Sequence, residues 1–268
     1  MIGLKLFKKI FNININMSLY EKYINYIKDT QLHLQPEQWD FKSNKNYTCI
    51  LEHVNPYQGL QYLELIKFKT YFQNNLELLK DLCNLNDKYG KTYKYNFDNF
   101  SICSPTNLRY IFQAFLILED IKNNNLNNIN IVEIGGGYGG LCFYIYKLSI
   151  LFKININNYT IFDLLEASQL QEKYLNALNI NNVNFYQLEN FENIKKDSYL
   201  ISNYAFSEIP ISIQEEYTNK LINPYIKYGF MAWNAIPVYN FANNINIKKE
   251  REYPLTGNNN YYIRFIIS

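Results

Sequence analysis

Ile129-Asn-Ile-Val-Glu-Ile-Gly-Gly-Gly-Tyr-Gly-Gly-Leu141 decides the architecture of the chain. Ile129, Ile131, Val132 and Ile134 are β-branched, which suits a buried parallel strand. The glycines from Gly135 to Gly140 then predict a sharp turn that approaches a ligand closely, because they carry no Cβ. Leu141, Phe143, Tyr144, Ile145 and Leu148 begin a helical apolar face. The free N–H groups of that helix's first turn face whatever fills the bend.

Two ligands satisfy a strand–glycine turn–helix. Gly135, Gly137 and Gly140 fit G-x-G-x-x-G, the dinucleotide fingerprint. Glu133, two residues before the first glycine, argues the other way. An acid near the end of a buried strand is costly without a partner, and a nicotinamide pyrophosphate offers it only negative charge. S-adenosylmethionine offers an ammonium, a sulfonium and hydroxyls. The order hydrophobic-hydrophobic-Glu-hydrophobic-Gly-x-Gly-x-Gly is similar to the first motif of class I S-adenosylmethionine-dependent methyltransferases.

Working outward, strands and helices alternate from about 129 to 268, the pattern of an open doubly wound sheet. Asn158–Asp163 reads as the second strand, ending in an acid placed to accept ribose hydroxyls, with an N-cap as its other reading. Val183–Gln187, Ser198–Ser202 and Gly229–Asn234 read as the third to fifth strands, and Tyr261–Ile267 as a final antiparallel one. Leu188 and Glu189 follow the third strand, where an adenine would lie. Ligands sit outside the C-terminal strand edges near the switch point. Asn203, Tyr204, Ser207 and Glu208 are therefore expected to face the transferred group, unless Ser207 or Glu208 merely caps a helix.

Residues 1–100 lack this alternation. Ser18 is placed to cap a helix, Gln35–Trp39 is a break, and a long helical pattern runs from Gly59 to about Asn86. We expect a helical N-terminal region over 1–100, acting as a lid or homodimer contact, and a second domain over 101–268. Ser104 and Pro105 mark a helix start, and Arg109 in that helix can bind a carboxylate or phosphate, or simply lie on an exposed face.

The 268 residues can bury a substantial core, and a net charge of +2 predicts no strong attraction to nucleic acid or membrane. The 26 tyrosines carry no functional weight at this level. Cys49, Cys83, Cys103 and Cys142 lack C-x-x-C spacing, which argues against zinc or a disulfide framework and for a reducing cytoplasm. No apolar run reaches the roughly 18 residues of a membrane span. Met1–Phe11 has an amphipathic pattern fit for a packing arm or a membrane-surface helix.

Ser104–Tyr110, Val132–Gly140 and Ser202-Asn-Tyr-Ala-Phe-Ser-Glu208 together resemble the sugar O-methyltransferases of bacterial surface-polysaccharide clusters. The resemblance covers about residues 100–235, and Leu51–Val54 extends it. It implies a Rossmann-like class I methyltransferase sheet with a mostly helical N-terminal region, and S-adenosylmethionine as donor. It implies a sugar or nucleotide-sugar acceptor, for example a capsular heptose, in capsule polysaccharide biosynthesis. Glu133, Gly135, Gly137, Tyr138, Asp163, Leu164, Ser202 and Asn203 are then the expected cofactor contacts, and Arg109 and Ser207 the expected substrate contacts. A sugar hydroxyl is a poor nucleophile, so a base should take its proton. His53 is the best base by intrinsic pKa, Glu208 is its rival, and Tyr204 could orient the acceptor. The spacing calls for no metal site. The competing readings are a nicotinamide-dependent oxidoreductase, a non-catalytic nucleoside-binding subunit, and a methyltransferase of phosphorylated or phosphoramidate metabolites.

Overall fold

A computed structural model describes residues 14–29, 31–51, 54–191, 193–234, 237–257 and 259–268, with side chains from Tyr20 onward. His53 and the Met1–Phe11 segment lie outside the described residues.

The sheet grows from the strand that the glycines follow, β3 (Asn128–Ile134). β4 (Asn155–Phe162) and β5 (Val183–Tyr186) lie to one side of it. β6 (Ser198–Asn203), β7 (Ile226–Trp233), β8 (Ile245–Arg251) and β9 (Tyr261–Ile267) lie to the other. The order is β5-β4-β3-β6-β7-β9-β8, parallel from β5 to β7, with β9 antiparallel to both neighbours. The strand order therefore reverses between β3 and β6, and that switch point makes the crevice of a Rossmann-like sheet.

β3 is buried on both faces, as its β-branched residues require. Ile129 and Ile131 enter one apolar core, and Val132 and Ile134 enter the core on the opposite face. The last strand forms over Tyr261–Ile267, with the expected bounds. β8 went unread because Lys248, Lys249, Glu250 and Arg251 break any apolar alternation. It is an edge strand of the sheet, and charge there blocks pairing with another chain.

The N-terminal third departs from expectation. Helix α1 (Asn14–Asp29) is followed by a one-turn helix at Lys45–Thr48. The long helix expected over 59–86 is divided into α2 (Pro56–Lys67), a short turn at Thr70–Asn74, and α3 (Leu76–Asn86). Asn75 sits at φ −132°, ψ 24°, and its side chain donates to the Tyr71 carbonyl at 2.8 Å. Such local bonding competes with the helical ladder. A small hairpin, β1 (Tyr95–Phe97) and β2 (Ser101–Cys103), interrupts the helices.

Helices α4 (Pro105–Asn123), α5 (Gly140–Phe152) and α6 (Leu165–Ala177) complete the layers around the site. Ser104 is the N-cap of α4, but its hydroxyl donates to Asp87 at 2.9 Å rather than capping. Tyr23, Trp39, Phe41, Tyr47 and Tyr62 share one apolar core with Ile111, Tyr138, Tyr144 and Tyr174. Residues before 101 are thus built into the sheet's own core, and α1 packs directly on α6. Among the described residues no helix is long and apolar enough to cross a membrane. All four cysteines are free thiols.

Candidate functional site

The bend after β3 places left-handed backbone at Gly135 (φ 76°), Gly137 (φ 59°) and Gly139 (φ 92°). A Cβ on Gly135 would stand 2.2 Å from the Cβ of Ala205, which follows β6. The bend is therefore wedged against the far side of the switch point. Gly137 is different: the first atom its Cβ would meet is Leu51, at 3.8 Å. Gly140 lacks a positive φ and is bare because the rings of Tyr110 and Tyr138 lie 2.5 and 2.8 Å from where its Cβ would be.

Carboxylates gather around this bend. Asp163, just past β4, accepts from the Gly136 N–H at 3.0 Å, the Leu164 N–H at 2.8 Å and Gln171 Nε2 at 2.7 Å. Burial raises its pKa to about 6, against those three bonds, which lower it. Gln171 also donates to the Gly137 carbonyl at 2.8 Å, tying α6 to the bend. Glu133 lies beneath the bend, 1% exposed, and accepts from the Tyr159 hydroxyl at 2.7 Å. Burial raises it to about 8; the Tyr159 bond opposes this and the Asp163 charge adds to it. Glu208 closes the other side. It accepts a hydrogen bond from Asn234 and is raised by desolvation. Tyr20, on α1, is pushed up to about 12 by burial and by the charges of Glu208 and Asp163. Its hydroxyl therefore stands near both acids, a neighbour the sequence did not suggest.

Tyr204 follows β6 with φ 66° and ψ −33°, a region that L-residues with side chains rarely adopt. Its N–H donates to the Ala232 carbonyl at 2.7 Å. Its hydroxyl bonds Glu252 and lies 3.1 Å from the Thr256 hydroxyl. Glu252 is 1% exposed and had no sequence signal beyond its charge. Asn203 donates to Gln113 at 2.8 Å, and its Oδ1 is buried without a partner. Leu164 is half-buried at the start of α6. Arg109 is half-buried on α4, its guanidinium 5.4 Å from the Tyr110 ring centre. Burial raises the Tyr62 and Tyr204 phenols, and the Arg109 charge counters this at both.

Three expected contacts turn inward instead. Tyr138 is 1% exposed, packed against Phe41, Tyr110 and Tyr174 with the Lys42 ammonium 4.5 Å over its ring, so only its backbone lines the bend. The Ser202 hydroxyl donates to the Ile134 carbonyl at 2.9 Å and accepts from the Phe206 N–H at 3.0 Å, stitching β6 to β3. The Ser207 hydroxyl is taken by the Tyr204 carbonyl and Asn234 Oδ1, both at 2.7 Å. Polar groups at buried strand ends must find partners, and for these two serines the partners are internal. Among the described residues no group of three or more His, Cys, Asp or Glu side chains comes together to hold a metal.

No family model and no curated protein matches the sequence. Solved structures do resemble it. One is a mutant of MtNAS in complex with S-adenosylmethionine, at 16% identity and TM-score 0.41, covering 94% of this chain and 91% of that one. MtNAS in complex with MTA and tNA gives 14% identity and TM-score 0.40 over 95% and 99% of the two chains. The 23S rRNA methyltransferase ErmE gives 12% identity and TM-score 0.37 over 57% and 68%.

Proposed function

We propose that this chain is an S-adenosylmethionine-dependent methyltransferase acting on a hydroxyl of a sugar, most simply a nucleotide-linked sugar of a surface polysaccharide. One observation carries the reading: the crevice is ringed by acids. Asp163 already occupies the Gly136 N–H that a dinucleotide pyrophosphate would take, Glu133 lies below it, and Glu208 stands opposite. Like charges crowded at such a site repel an anion and favour a cation. Bound S-adenosylmethionine supplies a methyl group on a cationic sulfur.

The chain's own residues divide the work. Asp163 holds two oxygens at the crevice, and Oδ1, which accepts only from Leu164, keeps a lone pair for a ribose hydroxyl. Gly135, Gly137 and the Tyr138 backbone shape the bend, Leu164 and Asn203 flank it, and Glu133, neutral in the free protein at neutral pH, lies beneath as a carboxyl that a bound cation would help to ionise. His53 is the base we assign, because an imidazole titrates near neutral pH; Leu51, two residues earlier in the chain, borders Gly137. Glu208, held by Asn234, is the rival proton acceptor. Aligning acceptor oxygen and methyl carbon supplies much of the rate. Calorimetric titration with S-adenosylmethionine and with NAD tests the reading, followed by labelled methyl transfer to a panel of nucleotide-sugars. Tight NAD binding with no binding of the sulfonium compound would overturn it. Binding without turnover on any acceptor would favour a non-catalytic role.

A further inference from the structure

A groove of about 230 Å³ opens between the segments that leave the C-terminal ends of β6 and β7. One wall is helix α7 (Ile211–Tyr217) with the turn after it, and the other is the loop at 239–241. Both walls spring from one hydrogen bond of the candidate site, that of Asn234 to Glu208. Gln214 Nε2 donates at 2.8 Å to the carbonyl of Ile209, the residue after Glu208. Tyr239 packs edge-on against Trp233, the residue before Asn234, with ring centres 5.4 Å apart and planes at 83°. The Thr218 hydroxyl donates to the Phe241 carbonyl at 2.8 Å and ties the two walls together. The groove is therefore braced, and it adjoins the segments that hold the rival base.

Its lining selects a class of ligand. Gln214 is 4% exposed, and its Oε1 has no hydrogen-bond partner among the described residues. A buried amide oxygen left unmatched is costly, and an O–H from a ligand would match it. Glu215, Asn219 and Asn240 add a carboxylate and two amides, all exposed. The Tyr239 ring is 38% exposed, and Trp233 holds it in place as an apolar face at the groove. Among the described residues no Lys, Arg or His lines the groove, and Glu215 would repel an anion there. A purely apolar ligand would leave the carboxylate and the amides unmatched. A sugar ring meets both demands, since its hydroxyls donate to oxygen acceptors while its C–H face lies on an aromatic ring. We propose that this groove binds one uncharged sugar ring, stacked on Tyr239 with its hydroxyls against the polar wall of Gln214, Glu215 and Asn219. Its role rests on the methyltransferase reading, which makes that ring part of the acceptor and sets it next to Glu208. The charged part of a nucleotide-linked acceptor would then lie outside the groove.

The probes are the methyl glycosides of glucose, galactose, mannose and N-acetylglucosamine, with glycerol and inorganic phosphate as competitors, followed by saturation-transfer NMR on the intact chain. At least one glycoside should bind at millimolar concentration, and neither competitor should displace it. Tyr239→Ala should weaken that glycoside about tenfold, and Tyr239→Phe, which keeps the ring, should retain it. The double variant Asn219→Ala, Asn240→Ala should weaken it severalfold. All three positions are exposed, so melting temperature and S-adenosylmethionine affinity should stay close to the wild type's. No glycoside binding in the millimolar range overturns the proposal, as does binding that survives both Tyr239→Ala and the double variant. Displacement by phosphate overturns it too, since an anion would then be read. Displacement by glycerol does the same, since hydroxyls without a ring would suffice. If S-adenosylmethionine fails to bind the wild-type chain while a glycoside binds, the methyltransferase reading falls and the sugar groove stands. Glycoside failure with intact S-adenosylmethionine binding strikes the groove alone.

Discussion

Glu133→Gln should alter the pH dependence of stability, and the size of the effect follows from the carboxyl's surroundings. Glu133 is 1% exposed with one hydrogen bond, from Tyr159, and burial lifts it from an ordinary 4.5 to about 8. An unfolded chain ionises this group above about pH 4.5, while the folded chain keeps it neutral up to about pH 8. Between those limits the folded state binds the extra proton, so stability falls as pH rises. The slope is about 1.4 kcal/mol per pH unit, and the loss reaches about 5 kcal/mol at pH 8, as an upper limit. A glutamine side chain matches the neutral acid in shape and does not titrate. Urea midpoints measured from pH 5 to 9 should therefore diverge: similar at pH 5, with the variant the more stable by several kcal/mol at pH 8. Other groups titrate alike in both proteins and cancel. Curves that stay parallel across this range would refute the burial argument. With S-adenosylmethionine present, wild-type affinity should rise between pH 7 and 9 as Glu133 ionises beneath a cation, and the variant's should not.

Gly135→Ala should cost more than Gly137→Ala in melting temperature, because the first forces a Cβ to 2.2 Å from Ala205 and the second meets only left-handed strain of about 1–2 kcal/mol; the reverse order would refute the wedge at the switch point. Asp163→Asn should weaken S-adenosylmethionine, and wild-type affinity should drop as pH falls through about 6, where this carboxyl gains its proton; calorimetry from pH 5 to 7.5 checks both. His53→Ala should lower turnover by roughly 100-fold or more with donor affinity unchanged, as expected for a lost base; a normal rate would transfer that role to Glu208. Ser202→Ala should cost about 1–3 kcal/mol in urea melts, since it leaves the Phe206 N–H and the Ile134 carbonyl unmatched, and leave donor affinity intact.

The sheet was legible because its chemistry is local. β-branched runs ending in Gly135 or Asp163 declare strands whose ends face a ligand. Tyr261–Ile267 alternates clearly enough to set its own limits. The N-terminal third was illegible for the opposite reason. Its burial is aromatic rather than periodic: Phe41 packs against Tyr138 and Tyr174 and Trp39 against Tyr174, far away in sequence, while Tyr47 packs on Phe41. The abundance of tyrosine, set aside in the sequence, is part of how this core is filled. At the site, residue type at a strand end proved ambiguous. Ser202 and Asn203 are adjacent, yet Ser202 spends its hydroxyl on two backbone groups while Asn203 keeps an unpartnered oxygen. Sequence marks the edge of the sheet; only packing tells which side chains remain free to meet a ligand. Glu252 and Tyr20 reach the site from distant elements and carried no spacing that could have announced them.

The charge gathered at the glycine bend bears on which ligand it accepts. Asp163, Glu208 and the buried Glu133 surround the glycine bend. Tyr204, which follows β6, is fixed by its bond to Glu252 and its left-handed backbone. A dinucleotide spanning the crevice would set its pyrophosphate against the acids. A cationic donor at the bend matches them instead. Reversing the sign at the bend, by Asp163→Lys, should therefore abolish S-adenosylmethionine binding in calorimetric titration without creating affinity for any other cation. Unchanged donor affinity in that variant would refute the argument from charge at the bend.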